Sequence, residues 1–168
     1  SNVFLAPMAG VTDLAFRIIC DRFGAGLSYT EMVSAKALVY DDRKTAGLLE
    51  MQQEHRPCGA QLFGSEPDVM AEAAVKTVAL CNPEFIDINM GCPFPLQAKH
   101  GRGSGLLPHV DIVEEMAKAI REKSHLSFSV KMRLGWENAD EWRPVLDILN
   151  DTPLRQVTLH PRIGTQQY

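Results

Sequence analysis

Short apolar runs alternate with longer stretches at helical spacing along the whole chain. Val3-Phe4-Leu5-Ala6 is an apolar run closed by Pro7. Thr12 or Asp13 then caps a helix in which Leu14, Phe16, Ile18, Ile19 and Phe23 include helical spacings. Gly24-Ala25-Gly26 ends that helix, Leu27 to Thr30 reads as a second strand, and Ser34 begins a helical stretch through Tyr40 that resumes after a break toward Glu50. Pro57 to Phe63 predicts a third strand, and Ser65-Glu66-Pro67-Asp68 starts a helix over Val69 to Leu80. Phe85 to Asn89 is the fourth strand, followed by a long loop through Gly105 and a helix from Val110 to Lys123. Leu126 to Met132, a helix over Asp140 to Leu149, and a strand Gln156 to Leu159 complete six strand–helix units.

Strict alternation of this kind implies an α/β chain with a parallel sheet, because crossovers through helices join parallel strands. Two architectures compete: an open doubly wound sheet and a (β/α)8 barrel. The glycine fingerprint of dinucleotide-binding folds is absent after the first strand, where Ala6-Pro7-Met8-Ala9-Gly10 stands. Gly101-Arg102-Gly103-Ser104-Gly105 lies far downstream and does not directly follow a strand, so it reads as a flexible turn.

The positions of unusual polar residues separate the two architectures. Pro7-Met8, Glu31, Gln61, Asn89, Lys131 with Arg133, and His160 with Arg162 all fall at or just past a C-terminal strand end. In a barrel, strands about 4.8 Å apart bring such ends into a ring at one mouth. Each residue alone has an innocent role, as a turn cap, a solvated strand end or a hydrogen-bonded histidine. Their shared register favours the barrel.

Composition narrows the picture. The chain has 168 residues, 45% hydrophobic and 23% charged, the range of a globular domain. Cys20, Cys58, Cys81 and Cys92 form no CxxC pair, which argues against a zinc site and suits a reducing, cytoplasmic compartment. No apolar run approaches the roughly 20 residues of a membrane span. Seventeen basic against twenty-one acidic residues give a net charge of −4, so the chain lacks the overall charge of a nucleic-acid binder, although a local basic rim remains open.

The strongest chemical candidate is Phe85-Ile86-Asp87-Ile88-Asn89-Met90-Gly91-Cys92-Pro93-Phe94-Pro95, a strand that empties into a rigid loop. The prolines fix φ and remove backbone donors on either side of Phe94, and Gly91 permits a close backbone approach. Cys92 is therefore held in one orientation. Two readings stay open at this point, a reactive thiol and a small buried hydrophobe in a tight turn.

The ordered motifs resemble the dihydrouridine synthase family, flavoenzymes that reduce uridines in transfer RNA. The matching residues are Ala6-Pro7-Met8-Ala9-Gly10-Val11-Thr12-Asp13, Thr30-Glu31-Met32, Gln61-Leu62-Phe63-Gly64, and Asn89-Met90-Gly91-Cys92-Pro93-Phe94-Pro95. Lys99, Gly101, Gly103-Ser104, Leu106-Leu107, Val130 to Trp136, His160 and Arg162 continue the set across essentially the whole chain. The resemblance implies FMN at the C-terminal mouth of a (β/α)8 barrel. Pro7, Met8 and Ala9 would lie against the isoalloxazine ring, with Gln61, Lys131 and His160 also contacting the flavin. A cationic Lys131 would favour the anionic reduced flavin formed by NADPH or NADH.

By the same resemblance, Asn89 would offer both donor and acceptor to the uracil edge. Reduced FMN would give hydride to C6 while Cys92 protonates C5. A thiol with an ordinary pKa of about 8.5 holds its proton at neutral pH, so the acid role needs no activation. The target uridine would be turned out of the folded RNA, with Lys99, Arg102, Arg133 and Arg162 contacting phosphate or base.

A complete barrel typically takes about 250 residues. The expectation is therefore that residues 3–168 form the N-terminal portion of an FMN-binding barrel, with about six units present. The remaining strands and a C-terminal helical domain that holds transfer RNA would lie outside this chain, and the fragment alone would be inactive. His160-Pro161-Arg162-Ile163 departs from the His-Gly-Arg-Thr of many relatives, with Pro161 expected to stiffen a turn, and Arg102 stands where a small residue is common. Two other functions compete. One is a different FMN barrel, such as a dihydroorotate dehydrogenase-like oxidoreductase acting on a small molecule; the other is a non-catalytic RNA-binding module.

Overall fold

The computed structural model describes residues 1–152 and 154–166. In chain order, the first regular element is helix α1 (Leu14–Arg22), which starts where Asp13 Oδ1 accepts from the amide of Phe16 at 2.8 Å. Two short strands follow, β1 (Ser28–Tyr29) and β2 (Val33–Ser34), and then the short helices α2 (Ala35–Val39) and α3 (Arg43–Gly47). Asp41, at φ 59°, makes the break between these helices, and Asp42 recaps the chain by accepting from Thr45 N at 2.7 Å. Next come β3 (Cys58–Phe63), α4 (Pro67–Cys81) and β4 (Ile86–Met90). Then follow α5 (Pro95–Lys99), a 3-10 turn (Gly103–Leu106), α6 (Val110–Ser124), β5 (Phe128–Gly135), α7 (Trp142–Asn150) and β6 (Leu154–Ile163).

All pairings are parallel and run in sequence order, β1-β3-β4-β5-β6, with β2 added beside β3. A doubly wound sheet reverses its strand order at a switch point, whereas a barrel lays each strand beside its predecessor. The observed order is that of a barrel wall, here a parallel half-barrel. β1 falls within the strand predicted over Leu27 to Thr30, whereas β2 lies beyond it, just before the predicted helix start at Ser34. Between them Thr30 turns its hydroxyl to accept from the amide of Gln61 at 3.0 Å, replacing a ladder bond.

Four expectations change. The segment over Val3 to Ala6 is reduced to one parallel bridge, Phe4 to Leu27, because Pro7 removes an amide and the chain turns at once, Val11 N and Thr12 N both donating to Met8 O at 3.0 Å. The loop through Gly105 contains α5, with Pro95 in its first turn. Gly101 to Gly105 is not a flexible turn: Gly103, Ser104 and Gly105 are buried, and Ser104 donates to Cys92 O from both N (3.0 Å) and Oγ (2.9 Å). Pro161 lies within β6, not in a turn after it. It falls where His160 pairs with Arg133 and Ile163 with Gly135, a one-residue mismatch of the kind that accommodates proline.

The two faces of the sheet differ. Ala60, Leu62, Ile86, Ile88, Phe128, Val130 and Met132 join one buried cluster with Met70 and Ala74 of α4 and with Val113, Met116 and Ile120 of α6. The intervening residues Gln61, Asp87, Asn89, Ser129, Lys131 and Arg133 therefore point to the other face, inside the half-barrel. Burial of the apolar face holds the wall together, and the polar face is left for chemistry.

Candidate active site

Parallel register stacks the inner polar residues in levels. Asp87 on β4 is flanked by Gln61 on β3 and Ser129 on β5. One step toward the C-terminal ends, Asn89 pairs with Lys131, which pairs with Thr158, and a further step pairs Arg133 with His160. Above them opens a cleft of about 270 Å³ lined by Pro7, Met8, Ala9, Met32, Gln61, Asn89, Gly91, Cys92, Pro93, Lys131 and His160. Eight residues singled out from sequence thus share one cavity: Pro7, Met8, Ala9, Gln61, Asn89, Cys92, Lys131 and His160.

The four remaining candidates lie elsewhere. Lys99 is exposed on α5, and Arg162 is exposed near the end of β6. Arg102 lines a separate depression with Ser34, Lys36, Phe63 and Glu66. Arg133 is fully buried, donating from Nε to Gly91 O at 2.9 Å and from Nη1 to Ile163 O at 3.1 Å. Its guanidinium braces the Cys92 loop from behind and ties it to the end of β6.

A hydrogen-bond relay runs from the buried layer to the Cys92 loop. Ser129 Oγ donates to Asp87 Oδ1, and Gln61 Nε2 donates to Asp87 Oδ2 at 2.6 Å. Asn89 Nδ2 donates to Gln61 Oε1 at 2.9 Å, and Asn89 Oδ1 accepts from the amides of Cys92 (2.9 Å) and Gly91 (3.2 Å). A carbonyl oxygen has two lone pairs, and here both are engaged. The second N–H of Asn89 Nδ2 points to Met32 Sδ at 3.7 Å, a weak acceptor, so that N–H is the group Asn89 can redirect to a ligand, not the mixed donor and acceptor expected from sequence.

Charge in the site follows burial. Asp87 is only 1% exposed, and burial raises its pKa to about 6 against the opposing hydrogen bonds of Ser129 and Gln61 and the charge of Lys131. Burial lowers the pKa of Lys131; the Asp87 charge acts against this fall and Arg133 adds to it. His160 is also pulled down, first by burial and then by Arg133, Lys131 and Arg162. Among the described residues, no hydrogen-bond or ion-pair partner holds Lys131. A partly desolvated ammonium facing a cleft without a counter-group in contact suits an anionic or carbonyl-bearing ligand.

Sequence reading missed Asp87, Ser129, Met32 and the bracing role of Arg133. The signal was present in part: Asp87 interrupts an apolar strand two residues before Asn89, as Ser129 stands two residues before Lys131. Among the described residues, no cluster of histidine, cysteine and acidic side chains could hold a metal, and no helix is long and apolar enough to cross a membrane.

A family model described as dihydrouridine synthase matches residues 4–168. A probable tRNA-dihydrouridine synthase of Helicobacter pylori is 41% identical over 167 residues, covering 99% of this chain and 51% of that protein. One from Treponema pallidum is 38% identical over 173 residues, with 99% and 51% covered. A tRNA-dihydrouridine synthase B of Vibrio cholerae is 34% identical over 169 residues, with 100% and 52% covered. The chain spans about half the length of these curated relatives.

Proposed function

Because the chain belongs to the dihydrouridine synthase family, we propose that the complete protein reduces uridines of transfer RNA to 5,6-dihydrouridine, with FMN in the cleft and NADPH or NADH as reductant. The supporting observation is that Gln61, Asn89, Lys131 and His160, from four successive strands, and Cys92, from the loop after β4, line one cavity. Its chemistry suits a flavin. Pro7, Met8 and Ala9 offer an apolar wall, Gln61 and Asn89 offer amides, and Lys131 offers a cation without a contact partner among the described residues.

In this reading Pro7, Met8 and Ala9 pack against the ring system, while Gln61, Lys131 and His160 hold its polar edge. When bound, reduced FMN supplies a hydride to C6 of the uracil. Cys92 Sγ–H gives its proton to C5, so that the π pair of the C5=C6 bond becomes the new C5–H bond. The thiolate left behind recovers a proton from solvent. Asn89 Nδ2, with its oxygen committed to the loop, donates to a carbonyl oxygen of the base or ring. Lys99, Arg102 and Arg162 contact phosphates of an RNA whose target base has left its stack. Arg133 acts from behind the loop. A transfer RNA substrate also fits a cytoplasmic setting.

Cys92→Ala in the complete protein tests this reading. The variant is expected to keep flavin reduction by the nicotinamide and to lose most dihydrouridine formation. Undiminished formation on a good substrate RNA would remove Cys92 from the acid role. Reduction of free pyrimidines but not of transfer RNA would instead favour a small-molecule oxidoreductase.

A further inference from the structure

The proposed chemistry uses Cys92, Asn89, Gln61 and Lys131 and leaves unexplained the most deeply buried acid of the inner face. Asp87 lies one level below the cleft at 1% exposure, in a strand whose other face is packed with Ile86 and Ile88. Packing alone favours an apolar residue there. The relay suggests what the carboxylate does.

The directions of the bonds can be assigned from the loop end. Backbone amides only donate, so the amides of Gly91 and Cys92 require an oxygen from Asn89. That turns Asn89 Nδ2 toward Gln61, which must present Oε1 (2.9 Å), and so turns Gln61 Nε2 toward β4. A group that accepts is needed at that point, 2.6 Å away, and Asp87 supplies one. Its second oxygen takes the hydroxyl of Ser129. A side chain without an acceptor at position 87 leaves Gln61 Nε2 buried and unpaired, free to turn toward another partner and to release Asn89.

We propose that Asp87 is a positioning residue: by accepting from Gln61 and Ser129 it sets the donor–acceptor polarity of the Gln61–Asn89 pair, and through Asn89 it seats the backbone of Cys92. Asp87 touches neither base nor cofactor in this scheme. Its effect on dihydrouridine formation rests on the function proposed above, but its effect on the loop does not.

The test compares Asp87→Leu with Asp87→Asn in the complete protein without RNA. The readout is hydrogen exchange at the amides of Gly91 and Cys92, followed by mass spectrometry of a peptide over 86–94. Leu, close in shape but without an acceptor, is expected to speed that exchange roughly tenfold, while peptides of α6 stay unchanged. Asn can accept from Gln61 with its carbonyl and donate to Ser129 Oγ with its nitrogen, so its exchange should stay within about threefold of the parent. Unchanged exchange in Asp87→Leu, or an equal rise in Asp87→Asn, would overturn the proposal. If Asp87→Leu exchanges everywhere because it does not fold, Gln61→Met cuts the same relay one step later; it should show the local rise, and its failure to do so is equally adverse. In turnover, Asp87→Leu should lower kcat for dihydrouridine formation roughly 100-fold with little change in KM for RNA, and Asn should restore most of it. Turnover like the parent's in Asp87→Leu would also overturn the assignment. A parent protein that forms no dihydrouridine would defeat the functional reading alone, and the exchange comparison would still decide the role of Asp87.

Discussion

Gly103→Ala probes how firmly the Cys92 loop is held. Gly103 has φ +57°, and an added Cβ would lie 2.6 Å from Cys92 O and 2.8 Å from Cys92 Cβ. The left-handed conformation costs an alanine about 1–2 kcal/mol. The contacts cannot persist, so the 103–104 segment must lift away from Cys92 O, the acceptor of both Ser104 bonds. Losing those two bonds adds about 1 kcal/mol each, for a total of about 3–4 kcal/mol. On the function proposed above, a shift of roughly 1 Å at the thiol is expected to slow proton delivery on the order of 100-fold. Gly24→Ala is the control: φ is also positive, at +90°, but nothing lies within 4 Å of the added carbon. It carries the backbone cost without the displacement. Denaturant unfolding and single-turnover dihydrouridine formation, both at matched flavin content, give the comparison. Equal stability and equal turnover in the two variants would refute the account of the loop as clamped by the 103–104 segment.

The other expectations are more direct. Asp87 has a folded pKa of about 6 against a usual 3.8; the folded state holds the proton more tightly, so this stabilisation is full below about pH 4 and disappears as pH rises through 6. Unfolding curves at pH 4 to 7 should show the parent losing up to about 3 kcal/mol relative to Asp87→Asn, and a pH-independent difference would contradict the burial argument. Lys131→Met should slow nicotinamide-dependent flavin reduction roughly 10- to 100-fold in stopped flow, through loss of the one unpaired cation at the cleft among the described residues. Arg133→Lys should destabilise the protein by about 2–3 kcal/mol in denaturant titrations, because one ammonium cannot span Gly91 O and Ile163 O as the guanidinium does. Changing both Lys99 and Arg102 to Ala should weaken RNA binding at low salt and flatten its salt dependence, and unaltered affinity would remove them as phosphate contacts.

Much of the fold was legible because the apolar and polar periods are unmixed. Strands over Cys58–Phe63, Ile86–Met90 and Phe128–Gly135 and helices over Pro67–Cys81 and Val110–Ser124 fall close to their predicted bounds. The cleft was legible for a related reason. Residues at C-terminal strand ends converge whenever parallel strands lie side by side, so Gln61, Asn89, Lys131 and His160 could be placed together by position alone. Partners could not. Whether Arg133 reaches outward to a ligand or backward to Gly91 O depends on how the loop after β4 passes behind β5, a contact between segments 42 residues apart that no local pattern encodes. Likewise, glycine and serine at 103–104 look the same in a mobile turn and in a close contact. Only the approach of the Cys92 carbonyl distinguishes them.

Asp87 shows where those limits and the chemistry meet. Alternation along β4 assigns it to the inner face, and the same alternation places Asn89 beside the cleft. Yet an acid at a fully buried position lowers stability at neutral pH, by the same roughly 3 kcal/mol its shifted pKa represents. A chain selected only for packing would place an aliphatic side chain there, as it does at Ile86 and Ile88. An acceptor-only group removes an ambiguity that Gln61 and Asn89 cannot resolve by themselves, since either amide can turn end for end. The local conflict in the sequence thus marks the point at which the orientation of the cleft is specified from below, before any ligand arrives.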